Sequence, residues 1–241
     1  MMVHVNSNST LTEPQVRTLR TVLFDLDGTL ADTAPDLAYA LNCVLQQQGR
    51  DTLPFEQIRP VVSHGGAALI SLGFGLGPGH NGYDELRAEL LRIYQENLTR
   101  HTGLFPGMAE LLGTLEQRGM NWGVVTNKPA WLTDPLMEQL GLNTRAACII
   151  SGDTTANRKP HPEPMLLACQ QAGSAPEQCL YVGDAERDIE AGRRAGMRTA
   201  VALFGYLDEQ DTPQRWGADT LIAHPLELLA WIDNADQAGV T

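Results

Sequence analysis

The chain has 241 residues, 43% hydrophobic and 19% charged, with a formal net charge of −12 and a pI near 4.8. That length allows one large domain or two small ones, and the composition is that of an ordinary globular protein. The acidic balance argues against a nucleic-acid stripe or an anionic membrane surface, and no apolar run approaches the roughly 18 residues of a spanning helix.

Residues 1–20 lack a basic start followed by an apolar block, so they do not read as a secretory signal. They are expected to form a loose N-terminal extension, with a short helix over 12–20. The run "TVLFDL" (21–26) predicts a buried strand, and the chain leaves it through Asp25 and Asp27. Residues i and i+2 of a strand point the same way. Two carboxylates so placed repel, and one is pushed towards its neutral form unless something holds both. Thr33 then reads as a helix N-cap, with Pro35 and Asp36 in the first turn and Leu37, Leu41, Val44 and Leu45 at helical spacing up to Gly49. Helical pieces at 55–62 and around 67–72 follow, then a glycine-rich loop over 73–82. A longer helix carries Leu86, Leu90, Ile93, Tyr94 and Leu98 on one face.

From Pro106 onward helix and strand alternate. Strands are expected at 121–126, 147–151, 179–184, 198–203 and near 219–222, between helices at 107–118, 130–140, 162–172, 186–195 and 225–234. Such alternation implies a parallel sheet with right-handed crossovers and helices on both faces. The expected fold is α/β: a Rossmann-like core of about five parallel strands with an inserted α-helical cap. Core residues are 21–32 and 102–241, cap residues 33–101, and the linkers lie near 30–33 and 101–106.

Ligands of such sheets bind at the carboxyl ends of the strands. Four strand ends or nearby loops carry polar groups there: Asp25 and Asp27; Thr126, Asn127 and Lys128 in "VVTNKP"; Lys159 in "NRKPHPEP"; and Asp184 and Asp188 in "VGDAERDI". Acids from two strands can share a divalent oxygen-seeking cation such as Mg²⁺, which also answers the repulsion between carboxylates. A hydroxyl, backbone N–H groups and a lysine suit the oxygens of a phosphate. The chain's two lysines, Lys128 and Lys159, both fall in these loops although it has fifteen arginines. An ammonium acts there as a compact point charge.

"DLDGT", "VVTNKP", "RKPHPEP" and "VGDAERDI" occur in the order of the four motifs of the haloacid dehalogenase superfamily, and the resemblance covers about residues 20–235. The helical block resembles that superfamily's small cap. The resemblance implies that Asp25 is the nucleophile, becoming an aspartyl-phosphate. Asp27 is then the general acid for the leaving alcohol and the base for water. Mg²⁺ is held by the Asp25 carboxylate, the Asp27 backbone carbonyl and Asp184, with Asp188 either on the metal or just behind it. Thr126 and the Asn127 N–H bind phosphate oxygens, and Lys159 offsets charge on Asp25 and the phosphoryl group. Each motif also has a plain structural reading, such as a turn at Asp27-Gly28-Thr29 or a helix entry at Asp184. All four arising by accident, in order, at strand ends is a poor explanation.

The resemblance implies a Mg²⁺-dependent, cytoplasmic phosphomonoesterase acting on a small soluble phosphate ester, monomeric or homodimeric. Dehalogenases of the superfamily lack the second aspartate, so Asp27 counts against them; a phosphomutase shares the core. A phospho-accepting regulatory domain is about half as long, without a cap. The overall layout is similar to phosphoglycolate phosphatases. The tail "GYLDEQDTPQRWGADTLIAHPLELL" and the segment "WGVVTNKP" are more similar to N-acetylmuramic acid 6-phosphate phosphatases. That tail is expected to lie far from the catalytic motifs. His64-Gly65-Gly66 reads as either a substrate loop or a hinge. Six histidines and four cysteines show no zinc spacing, and Cys43, Cys148, Cys169 and Cys179 are expected to be buried free thiols.

Overall fold

A computed structural model describes residues 18–238. Strand β1 (Thr21–Phe24) lies inside a six-stranded, wholly parallel sheet with β4 (Asn121–Val125), β5 (Ile149–Ile150), β6 (Cys179–Gly183), β7 (Arg198–Ala202) and β8 (Thr220–Ile222), in the order β5-β4-β1-β6-β7-β8. All six strand segments expected from the sequence join this sheet, the one near 219–222 along the outer edge of β7, so the expected core of about five strands has six.

Alternation sorts the core. Val22, Phe24, Leu180 and Val182 enter the larger apolar cluster on one face, while Leu23 and Tyr181 enter the smaller cluster on the other. These side chains are fully buried, and each such residue contributes about 1.5–3 kcal/mol relative to exposure. Helices α5 (Met108–Gln117) and α6 (Ala130–Gln139) feed the first cluster, and α7 (Glu163–Ala172) and α8 (Glu186–Ala195) the second. Helix α9 (Glu227–Ala238) follows β8.

Between β1 and β4 the chain forms α1 (Ala34–Gln47), α2 (Phe55–Ile58), a 3-10 turn (Arg59–His64), α3 (Gly65–Phe74) and α4 (Tyr83–Gln95). The expected helix over 55–62 breaks into an α turn and a 3-10 turn around Pro60, whose ring removes a donor and crowds the preceding turn. Helix α3 runs to Phe74 and stops where Gly75 takes the left-handed conformation, with φ +69, which shortens the expected loop. Leu41, Leu69 and Tyr94 of this block share the core cluster of β1.

The block is entered and left through a ribbon that the sequence did not suggest. Strand β2 (Ala31–Asp32) pairs antiparallel with β3 (Gly103–Leu104). Beside it Asp36 accepts the N–H groups of His101 and Thr102 and the Thr102 hydroxyl. Thr33 flanks α1 without capping it through its side chain. The Tyr206 hydroxyl accepts the Thr33 and Ala34 N–H groups instead, at 2.7 and 2.9 Å. The helix expected over 12–20 falls mostly outside the described residues, and 18–20 are not helical. Cys148, Cys169 and Cys179 are buried free thiols; Cys43 is free but only half-buried.

Candidate active site

Phe24 stands in register with Val124 and Val182, so Asp25, Thr126 and Asp184 leave three adjacent strands within two residues of one level. Asp25 is buried; its N–H donates to the Val182 carbonyl, while Leu26 N–H and Lys159 Nζ approach its Oδ1 at 2.7 and 2.9 Å. Gly28 turns the chain with φ +85, and a Cβ there would collide with the Asp184 carboxylate and the Tyr206 ring. The glycine of "DLDGT" therefore serves close packing over Asp184 as well as a turn.

Lys159 Nζ lies between Asp25 and Asp188 Oδ1, 2.8 Å from the latter, and donates to the Tyr181 hydroxyl at 2.8 Å. That hydroxyl in turn donates to the Val125 carbonyl at 2.7 Å. The Asn127 side chain exchanges two 3.1 Å bonds with the Lys159 backbone, which fixes the lysine's root. The Thr126 hydroxyl oxygen accepts the Lys128 N–H at 3.1 Å, leaving its own proton to donate. Asp188 takes the Ala185 N–H on Oδ2 as a cap for α8. Its buried Oδ1 has the lysine beside it but no aligned hydrogen bond.

Oxygens of Asp25, Asp184 and Asp188 lie within 4.8 Å of one another, inside the span expected of carboxylates sharing one cation. Asp184 accepts the Ser63 hydroxyl and the Tyr206 N–H on Oδ2, each at 2.8 Å, and forms no ion pair among the described residues. Burial, then the charges of Asp25 and Asp188, push its pKa up to about 7. Burial also raises Asp25, against the pull of Lys159. A buried trio of acids with one shared lysine, an orphaned oxygen and oxygen donors alone fits a hard divalent cation.

Asp27 turns away from this trio. Its Oδ1 meets Lys128 Nζ at 2.7 Å and the Thr33 hydroxyl at 2.6 Å. Lys128 also donates to the Tyr94 hydroxyl of α4 at 2.9 Å. Burial alone would depress the lysine, but Asp27 and Tyr94 outweigh it and hold it above its ordinary range.

Asp25, Asp27, Tyr94, Thr126, Asn127 and Lys128 line one cleft of about 630 Å³ between the sheet ends and the helical block, with exposed His64, Arg87 and Trp131 also on its walls. A more open depression of about 680 Å³ around His161 and Leu166 gathers no comparable set of acids. The structure thus brings Asp25, Asp27, Thr126, Asn127 and Lys128 to one cleft, with Lys159, Asp184 and Asp188 beside Asp25. Sequence reasoning missed Ser63, Tyr94 and Tyr206. It also placed the tail too far away: Gly205 packs on Asp184, and Tyr206 bonds it through its N–H.

An α/β sheet that carries acids, a hydroxyl and a lysine at its strand ends defines an enzyme handling a small anionic substrate. Residues 22–202 match the haloacid dehalogenase-like hydrolase family, and the chain belongs to it. It is 46% identical over 217 residues to the N-acetylmuramic acid 6-phosphate phosphatase of Pseudomonas putida, covering 90% of this chain and 97% of that protein. It is 45% identical over 212 residues to a phosphoglycolate phosphatase of Xanthomonas campestris, covering 87% and 94%. The crystal structure of a predicted phosphoglycolate phosphatase from Haemophilus somnus superposes with a TM-score of 0.79 at 25% identity, covering 88% of this chain and 97% of that one. The chain is a phosphatase of this superfamily.

Proposed function

We propose that the chain is a Mg²⁺-dependent phosphomonoesterase that hydrolyses N-acetylmuramic acid 6-phosphate through an aspartyl-phosphate. The observation that carries the chemistry is the convergence of Asp25, Asp27 and Thr126 on one cleft, with Lys159, Asp184 and Asp188 against Asp25. A Mg²⁺ held by Asp25, Asp184, Asp188 and the Asp27 backbone carbonyl would neutralise charge on the phosphoryl group.

Leu26 N–H and Lys159 hold Asp25 Oδ1 and orient the carboxylate that attacks phosphorus. The Asp25 O–P bond forms as the ester P–O bond breaks, and Asp27 gives its proton to the departing alcohol. Asp27 then takes a proton from water, whose oxygen attacks phosphorus. The Asp25 O–P bond breaks, inorganic phosphate leaves and the carboxylate returns. Thr126 and the Asn127 N–H hold the phosphoryl oxygens, and Lys159 offsets the charge that builds on them. In this reading residues 33–101 are a cap over the core of 21–32 and 102–241, closing to exclude water. The free thiols suit a reducing cytoplasm.

The sugar acid is favoured by the relative at 46% identity and by the cleft. A two-carbon acid fills little of about 630 Å³, whereas a pyranose bearing a carboxylate suits walls that carry Trp131 and Arg87. Arg87 has no ion pair among the described residues. The phosphoglycolate phosphatase at 45% identity keeps 2-phosphoglycolate as the second reading. Initial rates on a panel of phosphate esters, with Mg²⁺ and with EDTA, separate the two. The expected order puts N-acetylmuramic acid 6-phosphate first in kcat/KM, with no turnover in EDTA. A preference for 2-phosphoglycolate transfers the assignment, and full activity in EDTA sinks the metal.

A further inference from the structure

The Asp27 carboxylate is held from one side. Lys128 and Thr33 both donate to Oδ1, and among the described residues no donor reaches Oδ2. A carboxylate with one oxygen pinned by two donors from different elements cannot rotate freely, so Oδ2 keeps a fixed direction. Lys128 alone is a poor pin, because its ammonium sits on a flexible four-carbon stem. Tyr94 removes that freedom: its hydroxyl accepts from Nζ at 2.9 Å, and Nζ lies 4.5 Å from its ring centroid. Tyr94 is fully buried, while Lys128 and Asp27 side chains are 6% and 16% exposed. The chain Tyr94–Lys128–Asp27 therefore runs from the inserted helices to the carboxylate we assign as the acid.

We propose that Tyr94 is a positioning residue: through Lys128 it locks Oδ1 of Asp27 and leaves Oδ2 aimed at the ester oxygen that departs. This rests on the reading of Asp27 as general acid. Small misplacements of a reacting group cost up to about 100-fold, so an orienting contact two groups away carries a measurable share of the rate.

Tyr94→Phe keeps the ring, its packing and its face towards Nζ, and deletes the acceptor alone. The readout is the single-turnover rate of enzyme phosphorylation on a sugar phosphate and on an aryl phosphate, whose departing oxygen needs less protonation. The sugar phosphate rate should fall about 10-fold and the aryl phosphate rate less than about 2-fold, with KM nearly unchanged. In an Asp27→Asn background the same change should cost nothing further, because the two act as one unit. Thr33→Val, which removes the other donor to Oδ1, should give the same leaving-group signature and serves if Tyr94→Phe does not fold. Equal losses on both substrates, or additivity with Asp27→Asn, mean that Tyr94 merely docks the helices. Asp27→Asn alone separates the premises. A leaving-group signature there without one in Tyr94→Phe overturns the positioning role and keeps the acid. No signature in Asp27→Asn overturns both.

Discussion

The two walls of the cleft are built on different terms. On the sheet side the reacting side chains stand at strand ends, and most are held by a second group: Asp25 by Lys159, Lys159 by Tyr181, Asp188 by the start of α8. On the helical side Arg87 and His64 are exposed, and the glycines at 65 and 66 begin a helix. Rigid elements suit reacting groups that must be held to fractions of an ångström, whereas recognition tolerates exposed, exchangeable side chains. The walls meet through a few specific bonds. Ser63 reaches Asp184, Arg187 donates to the Ser63 carbonyl, and Arg59 to the Phe204 carbonyl.

If the sheet wall does the chemistry, its loss should dominate. Asp25→Asn should abolish turnover and any trapped phosphoenzyme, assayed with radiolabelled substrate after an acid quench. Residual steady-state turnover above background would move the nucleophile elsewhere. Asp27→Asn should leave a nucleophile but cost roughly 10²–10⁴-fold, more on sugar than on aryl phosphates.

Asp184 gives a milder test through pH. With its pKa raised from 3.8 to about 7, the metal-free protein is favoured while this acid stays protonated. That advantage is full below about 4 and lost as pH rises through about 7, on the order of 4 kcal/mol across the span. In EDTA the melting temperature should therefore fall between pH 4.5 and 7.5, and Mg²⁺ should raise it more at the higher pH. Asp184→Asn should flatten both trends. A Mg²⁺ gain equal at the two pH values would contradict the shared-cation reading.

Recognition should move least. Trp131, 44% exposed on α6, and Arg87 on α4 both line the cleft. Trp131→Ala and Arg87→Ala should each raise KM for the sugar acid by roughly 10-fold with kcat nearly unchanged, a loss of uniform binding. Aryl phosphate kinetics should not respond. A fall in kcat on every substrate would erase the division between the walls.

How much of this was legible follows from how far apart the partners lie in the chain. Asp25, Asp27 and Gly28 are contiguous, and a strand's period of two announces where they emerge. The six strand segments, the alternation and the four motifs were all readable. Tyr94 was not: it sits on an apolar helix face, and its partner Lys128 lies 34 residues away. Ser63 meets Asp184 across 121 residues, with no local pattern to mark it. The Thr33 cap misled because the Tyr206 hydroxyl, 173 residues on, takes the helix N–H groups and frees the threonine for Asp27. Strands of two residues, such as β2 and β3, are too short to show a period.

That small ribbon reaches beyond this molecule. Because Ala31 faces Leu104 and Asp32 faces Gly103, the outgoing and returning chains pass side by side, with Cα atoms about 4.5–5.5 Å apart as in any antiparallel pair. Whatever lies between them starts and finishes at one doorway on the sheet's rim. A lineage can therefore lengthen, shorten or replace the intervening helices as a cassette without disturbing the strand register that aligns the acids. Substrate recognition can change with those helices, while the strand-end acids stay where the sheet puts them, apart from the contacts that Ser63 lends to Asp184 and Tyr94, through Lys128, to Asp27.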